Sequence, residues 1–372
     1  MQKILIITGT RPEAIKLLPV YLEFKKNKKW DVQLISTGQH KEMLWSIFDF
    51  FQVRPDYDME IMTDNQTLET LSSQILQKCA DLFRQQKPNL VIVQGDTTTA
   101  MMAALSAFYQ RIPIAHIEAG LRSHNMYAPF PEEINRRAIS LMTTLHFAPT
   151  RTAELAIKKE SVSGKIHNVG NTVIDSLLFT RAKVKKNIKH FEQYYSTMLS
   201  GHKRMILITG HRRENFGAGF INICNAIRGL AKLHPTIAWI YPVHLNPNVR
   251  EIVFERLKNL KNVFLIDPVP YDHMVFLMMC SYFILTDSGG IQEEAPALGK
   301  PVIVMRTTTE RPEGIKAGCS ILAGNSKAKI IQITNELLRN KERYRRMSLA
   351  KNPYGKGNSA KQIATAVKNF LA

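Results

Sequence analysis

The stretch Leu285-Thr286-Asp287-Ser288-Gly289-Gly290-Ile291-Gln292-Glu293-Glu294-Ala295 reads as a strand that ends in a Ser-Gly-Gly turn and opens directly into a helix. A helix start of this kind points free backbone N–H groups and the positive end of its dipole at an anion. A short βα turn that merely needs glycine looks the same, but the Glu pair one turn on can accept hydrogen bonds from a ribose diol. Together they favour a nucleotide-sugar diphosphate. Arg306 and Arg311 follow the next strand and add positive charge.

Outward from this segment the same grammar repeats. Short apolar, β-rich runs ending in Gly, Asp, Thr or His alternate with helical patterns of roughly 10 to 20 residues, which is the text of parallel βαβ units. Strands are expected at 3–8, 32–37, 90–94, 113–117 and 145–148, and again at 205–209, 237–241, 263–266, 282–285 and 301–305. The two sets meet near Gly170 and the polar stretch 183–203, so the pattern predicts an α/β chain of two doubly wound domains.

Ligands of such sheets sit outside the carboxyl ends of the strands, so the residues that follow each strand carry the chemistry. After the first comes Gly9-Thr10-Arg11-Pro12-Glu13-Ala14-Ile15-Lys16, a tight turn into a helix with Arg11 and Lys16 beside its N-terminus. An ordinary turn with two surface cations reads equally well, and the segment is neither a Walker loop nor GxGxxG. Asp96, in Gln94-Gly95-Asp96-Thr97, and Glu118, in His116-Ile117-Glu118-Ala119, place carboxylates at strand ends. Asp96 is equally readable as the N-cap of the next helix. Glu132 and Glu133 open the helix of Pro129-Phe130-Pro131-Glu132-Glu133-Ile134-Asn135-Arg136-Arg137, where the macrodipole alone explains Glu133. Asp96, Glu118 and Glu132 converging on one ligand would supply general acids and bases. In the second half, His211-Arg212-Arg213 and His244 follow strands and suit a phosphate or an acid role.

Composition narrows the class. The chain has 372 residues, enough for two domains at about 150 each. With 45% hydrophobic and 22% charged residues it is neither disordered nor fibrous. The net charge is +19 and uneven: residues 1–170 hold 20 basic against 17 acidic side chains, and residues 171–372 hold 30 against 14. A basic half suits an anionic partner, but much of the excess lies in 181–189 and 341–361, which read as solvated faces. Nothing resembles an RNA-recognition motif, a zinc finger or an arginine-rich tail, so no nucleic acid is expected. Cys79, Cys224, Cys280 and Cys319 include no CxxC pair, and the first three sit in apolar helical text as small core residues of a reducing compartment. The apolar run 275–285 is too short to cross a bilayer, and Met1 leads straight into a strand pattern with no cleavable signal. The expectation is a soluble cytoplasmic protein without a membrane partner.

Taken together, GTRPEAIKLLP (9–19), GQHKEML (38–44), GDTTTAMMAALSAFYQRIPIAHIEAGLRS (95–123), PFPEEINRR (129–137), GNTVIDSL (170–177), TGHRRENFG (209–217), YPVHLNPNVRE (241–251), LTDSGGIQEEAPALGKPV (285–302) and TTERPEGIKAG (308–318) resemble the non-hydrolysing UDP-N-acetylglucosamine 2-epimerases. The resemblance runs nearly end to end. It implies a GT-B-like architecture, with an N-terminal Rossmann-like domain of 1–170 joined by the final helix at about 358–372, a UDP-binding domain of 171–357, and the active site in the cleft between them. It implies reversible interconversion of UDP-GlcNAc and UDP-ManNAc, with no NAD and no obligatory metal, through anti elimination of UDP to 2-acetamidoglucal and syn re-addition. It also implies a homodimer and a role in supplying surface polysaccharide.

Carried over by position, the resemblance makes Asp96, Glu118, Glu132 and His211 catalytic. It assigns Arg11, Lys16, Arg136, Arg212, His244, Ser288, Gly289, Gly290, Glu294 and Arg311 to substrate binding. Two departures stand out. Thr307 occupies a position where relatives commonly read Asp. Gln39 and His40 match an allosteric segment of some members, yet Glu42 and Asn65 replace the Gln and Arg that accompany it. The competing readings are a hydrolysing relative that releases ManNAc and UDP, a GT-B glycosyltransferase that shares the Ser-Gly-Gly nucleotide site, and a non-catalytic binding module.

Overall fold

The computed structural model describes residues 1–38, 41–63, 66–212 and 215–372, which form two compact units. Unit 1 is Met1–Ser176 with Tyr354–Ala372, and unit 2 is Leu177–Pro353.

Unit 1 begins β1 (Gln2–Thr8), α1 (Arg11–Phe24), β2 (Trp30–Ser36), α2 (Lys41–Phe51), β3 (Tyr57–Asp58) and α3 (Leu68–Gln86). It continues β4 (Leu90–Gln94), α4 (Thr98–Tyr109), β5 (Ile114–Ile117), α5 (Glu132–Met142), β6 (Leu145–Ala148), α6 (Arg151–Lys159), β7 (Lys165–Asn168) and the first turn of α7 (Thr172–Lys186), which runs on into unit 2 from Leu177. Unit 2 adds α8 (Ile188–Tyr194), α9 (Ser196–Leu199), β8 (Arg204–Thr209), α10 (Ala218–Leu233), β9 (Ile237–Pro242), α11 (Pro247–Leu257), β10 (Val263–Ile266) and α12 (Tyr271–Cys280). Then come β11 (Ile284–Thr286), α13 (Gly289–Ala297), β12 (Val302–Val304), α14 (Pro312–Lys316), β13 (Ser320–Leu322), α15 (Lys327–Arg339) and α16 (Lys341–Ser348). The chain ends in unit 1 with α17 (Ser359–Leu371).

Both sheets are parallel and doubly wound. Sheet order is β3-β2-β1-β4-β5-β6-β7 in unit 1 and β10-β9-β8-β11-β12-β13 in unit 2. Strand order therefore reverses between β1 and β4 (Ile4 opposite Leu90) and between β8 and β11 (Thr209 opposite Thr286). Those reversals are the switch points where a doubly wound sheet leaves a crevice for ligand. The central strands read as unbroken apolar runs because helices cover both faces: Ile4 to Ile7 and Leu90 to Val93 are almost wholly buried. On α4, Ala100, Ala103, Ala104 and Ala107 let the helix lie close to the sheet beside Ile75, Cys79 and Phe83 of α3.

All ten expected strands are present, and among the described residues three more lie at sheet edges: β3, β7 and β13. Each is short and carries no buried apolar run, as edge strands exposed on one side need not. The division of the chain also differs from the expected 170/171 and 357/358. Unit 1 extends to Ser176 because the first turn of α7 is bound into it: Asp175 accepts from the Ser359 and Ala360 amides at 3.2 and 3.0 Å and so caps α17. Tyr354 belongs there too, since its carbonyl accepts from the Asn171 amide at 2.7 Å. Cys79, Cys224 and Cys319 are buried, but Cys280 is exposed, being the last residue of α12. Among the described residues no helix is long and apolar enough to cross a membrane.

Candidate active site

At the switch point of unit 1, the turn after β1 admits only glycine at position 9. A Cβ there would lie 2.3 Å from the Thr99 Oγ1 and 2.5 Å from the Thr37 Oγ1. Glu13 organises the turn. Its Oε2 accepts from the Gly9 and Thr10 amides at 3.0 and 2.7 Å, its Oε1 accepts from the Thr97 hydroxyl at 2.6 Å, and Thr10 completes a capping box. Burial raises the Glu13 pKa against these donors. The clamp thus joins the β1 turn to the β4 turn, where Asp96 sits.

The three expected carboxylates follow β4, follow β5 and open α5, and each has different surroundings. Glu118 follows β5 with φ of +65°, a left-handed conformation uncommon for a residue with a side chain. Its buried carboxylate accepts from the Lys16 ammonium at 2.7 and 2.6 Å, from the Asn171 amide at 3.4 Å and from the Gln94 amide. Such a set of donors favours the ionised form. Asp96 is paired with the Arg136 guanidinium and keeps 26% of its side chain exposed, while the Asn135 amide donates to its carbonyl at 2.9 Å. It is not the cap of α4; Thr97 is. Glu132 opens α5, and its Oε2 is buried with no hydrogen-bond partner among the described residues.

Glu133 does more than face the helix dipole. Wholly buried, it accepts from the Ser123 and His124 amides at 2.9 and 3.2 Å and from Arg136 at 3.2 Å. Arg136, expected to touch substrate, therefore bridges Asp96 and Glu133 as well. Arg11 stands at the first position of α1.

In unit 2 the corresponding switch point is organised by Asp287, which is fully buried just after β11. It accepts from the His211 amide at 3.1 and 2.9 Å, the Arg212 amide at 2.9 Å and the Asn215 side chain at 3.3 Å. Thr209 and Thr286 join hydroxyls at 2.6 Å across the same strands. This fixes the His211-Arg212 segment beside the start of α13. Ser288 is the N-cap residue, but its side chain makes no capping bond, so the helix start keeps N–H groups for an anion. A Cβ on Gly289 would lie 3.2 Å from the Arg311 Cζ and 3.5 Å from the Arg212 Nη2, so both guanidinium groups converge on that backbone.

Nearby acids limit the positive charge. Arg311 donates to Glu293 at 2.9 Å and Glu310 at 3.1 Å, and Arg306 reaches Glu310 through two nitrogens at 3.1 and 3.2 Å. Burial would raise the Glu310 pKa, but the Arg306 bonds and the charges of Arg311 and Arg212 hold it at about 2. Arg306 is thus neutralised in place. Glu294, buried at Gly290, accepts from the Tyr271 hydroxyl. His211 stacks on His244 with ring centroids 5.1 Å apart. Burial lowers its pKa more than Asp287 raises it, and His244 and Arg212 add to the lowering, so the ring is neutral at pH 7. Thr307 is exposed in the loop after β12. Gln39 and His40 lie outside the described residues.

The sequence reading missed Glu13, Gln94, Asn171, Tyr271 and Asp287 as site-builders. Glu13 carried a visible signal, the Thr10-x-x-Glu13 capping box, and Asp287 stood inside the opening segment as an acid at a strand end. Gln94, Asn171 and Tyr271 act over long sequence separations that one chain does not display.

A family model described as UDP-N-acetylglucosamine 2-epimerase matches residues 22–368. A protein named UDP-N-acetylglucosamine 2-epimerase from Campylobacter jejuni is 46% identical over 369 residues, covering 98% of this chain and 96% of its own. The crystal structure of UDP-GlcNAc 2-epimerase from Neisseria meningitidis bound to UDP-GlcNAc superposes with a TM-score of 0.95 at 45% identity, covering 99% of this chain and 100% of that one. MurG from Acinetobacter baumannii, at 13% identity and a TM-score of 0.61 over 99% of this chain and 100% of its own, shares the GT-B-like fold alone.

Proposed function

This chain belongs to the UDP-N-acetylglucosamine 2-epimerase family, and on that premise we propose that it interconverts UDP-GlcNAc and UDP-ManNAc without consuming water. The observation that carries the reading is the unlike setting of the three carboxylates: Glu118 saturated by donors, Asp96 paired and partly exposed, Glu132 with a buried oxygen left over. Groups with surroundings this different divide acid and base roles between them.

Loss of the C2 proton to a carboxylate leaves an electron pair that forms the C1=C2 bond as the C1–O bond to UDP breaks. UDP departs with the bonding pair, and 2-acetamidoglucal remains. Re-addition of UDP at C1 with protonation of C2 from the other face gives the epimer. Glu118 stays ionised beside Lys16, which leaves Asp96 and Glu132 to carry the proton on the two faces. Charge grows on the diphosphate as it leaves, where the N-terminus of α13, Arg212, Arg311 and a neutral His211 supply donors. Glu294, oriented by Tyr271, takes the ribose, with Ser288, Gly289 and Gly290 on the phosphates. Arg11 and His244 add contacts to substrate.

The HIEAGLRS and PEEINR segments, kept here, support the non-hydrolysing type. We place the enzyme in the cytoplasm as a homodimer serving surface polysaccharide synthesis. Incubation with UDP-GlcNAc alone, followed by chromatography, tests the reading. UDP-ManNAc is the expected product; free ManNAc with UDP assigns the hydrolysing type instead, and no product without an acceptor favours a transferase.

A further inference from the structure

We propose that His116 is a positioning residue: its Nε2–H donates to the Gly95 carbonyl and fixes Asp96 relative to Glu118. The inference deepens the reading above and rests on it.

His116 lies within β5, wholly buried, two residues before Glu118. Its Nε2 is 2.7 Å from the Gly95 carbonyl oxygen. A carbonyl only accepts, so Nε2 carries the proton and the ring is the Nε2–H tautomer. The other nitrogen, Nδ1, is buried with no partner among the described residues. An apolar side chain would spare the unpaired nitrogen but would take the donor away from the Gly95 carbonyl. The expense coincides with one gain: the bond ends on the residue immediately before Asp96.

Both backbone polar groups of Gly95 are tied. The Gly95 amide donates to the Ile117 carbonyl at 3.0 Å, so both polar groups of its peptide are held by β5. On the far side of Asp96, Thr97 is gripped by Glu13 at 2.6 Å. Gln94, just upstream, reaches Glu118 itself. The imidazole bond thus ties the backbone next to Asp96 to the strand that leads into Glu118. Burial keeps the ring neutral, with a pKa lowered to about 3 against the smaller raising effect of the Gly95 bond. His146, opposite His116 on β6, makes the same kind of bond to the Ser163 carbonyl at 2.8 Å, with its own Nδ1 unpaired, but in a turn that carries none of the three carboxylates. It is an internal control.

The test compares His116→Leu, His116→Gln and His146→Leu for kcat, KM for UDP-GlcNAc and Tm. His116→Leu is expected to lose about 10²-fold in kcat with KM within about threefold, as for a misplaced catalytic group. His116→Gln, whose amide reaches the same place, recovers most of that loss. His146→Leu lowers Tm but leaves kcat in place. Wild-type kcat in His116→Leu, an equal fall in His146→Leu, or a His116→Gln as slow as His116→Leu overturns the proposal. Should His116→Leu fail to fold, histidine-selective ¹⁵N NMR of the wild-type protein decides: an Nε2–H tautomer that does not titrate near pH 6.5 is expected, and an Nδ1–H tautomer or a titrating ring refutes it. A wild-type enzyme that makes no UDP-ManNAc defeats the functional reading and the inference with it; an active wild type with an indifferent His116→Leu defeats the inference alone.

Discussion

Lys16 and Glu118, 102 positions apart, form one ion pair in which the ammonium lies 2.7 and 2.6 Å from the two carboxylate oxygens, with 13% and 4% of the side chains exposed. Removing one partner of a buried pair leaves the other uncompensated. Lys16→Met is therefore expected to cost about 3 kcal/mol in denaturant unfolding, and Lys16→Met with Glu118→Gln to recover part of it. Additive single losses would show that the two do not depend on each other.

If Asp96 and Glu132 carry the proton, Asp96→Asn and Glu132→Gln each lower kcat by roughly 10²-fold or more, and Glu118→Gln does so through lost positioning. Steady-state assays check this, and a variant at wild-type rate leaves the catalytic set.

Gly289→Ala inserts a Cβ 3.2 Å from the Arg311 Cζ, at the backbone assigned to the diphosphate. The expected outcome is UDP affinity weaker by about tenfold, some 1.4 kcal/mol, with Tm little changed. Calorimetric titration with UDP measures it, and unaltered affinity would move the phosphates elsewhere.

His116 also sets a pH dependence. Its pKa is about 3 folded against 6.5 for a free side chain. The unfolded chain thus binds the proton first, and stability falls as pH drops from about 6.5 towards 3, by at most about 1.4 kcal/mol per pH unit. Above pH 6.5 the contribution is complete. Urea unfolding at pH 7 and pH 5 checks it: His116→Gln should show a shallower decline than wild type.

Thr307, exposed after β12, is the clearest departure from the family pattern. Thr307→Asp should raise turnover or leave it unchanged, and a sharp fall would show that the loop is adapted to Thr.

Both sheets were legible because their central strands, covered on two faces, have to be apolar throughout. β3, β7 and β13 were not, since an edge strand such as Lys165–Asn168 buries too little to impose a pattern. Asp96, Glu118 and the Ser-Gly-Gly turn stood out as polar residues where strands end, and Glu132 as an acid that opens a helix. What supports them was hidden: Asp287 and Glu133 bond to backbone amides, and Gln94 and Asn171 meet Glu118 only once the sheet has formed. Cys280 misled because apolar neighbours in sequence do not bury the last residue of a helix.

Proton exchange at C2 tests the central claim most directly. With UDP-GlcNAc in D₂O and neither metal, NAD nor acceptor added, proton NMR should show loss of the H2 signal as deuterated UDP-ManNAc grows in. Formation of UDP-ManNAc with H2 retained, or no exchange at all, would contradict proton transfer at C2 by these carboxylates.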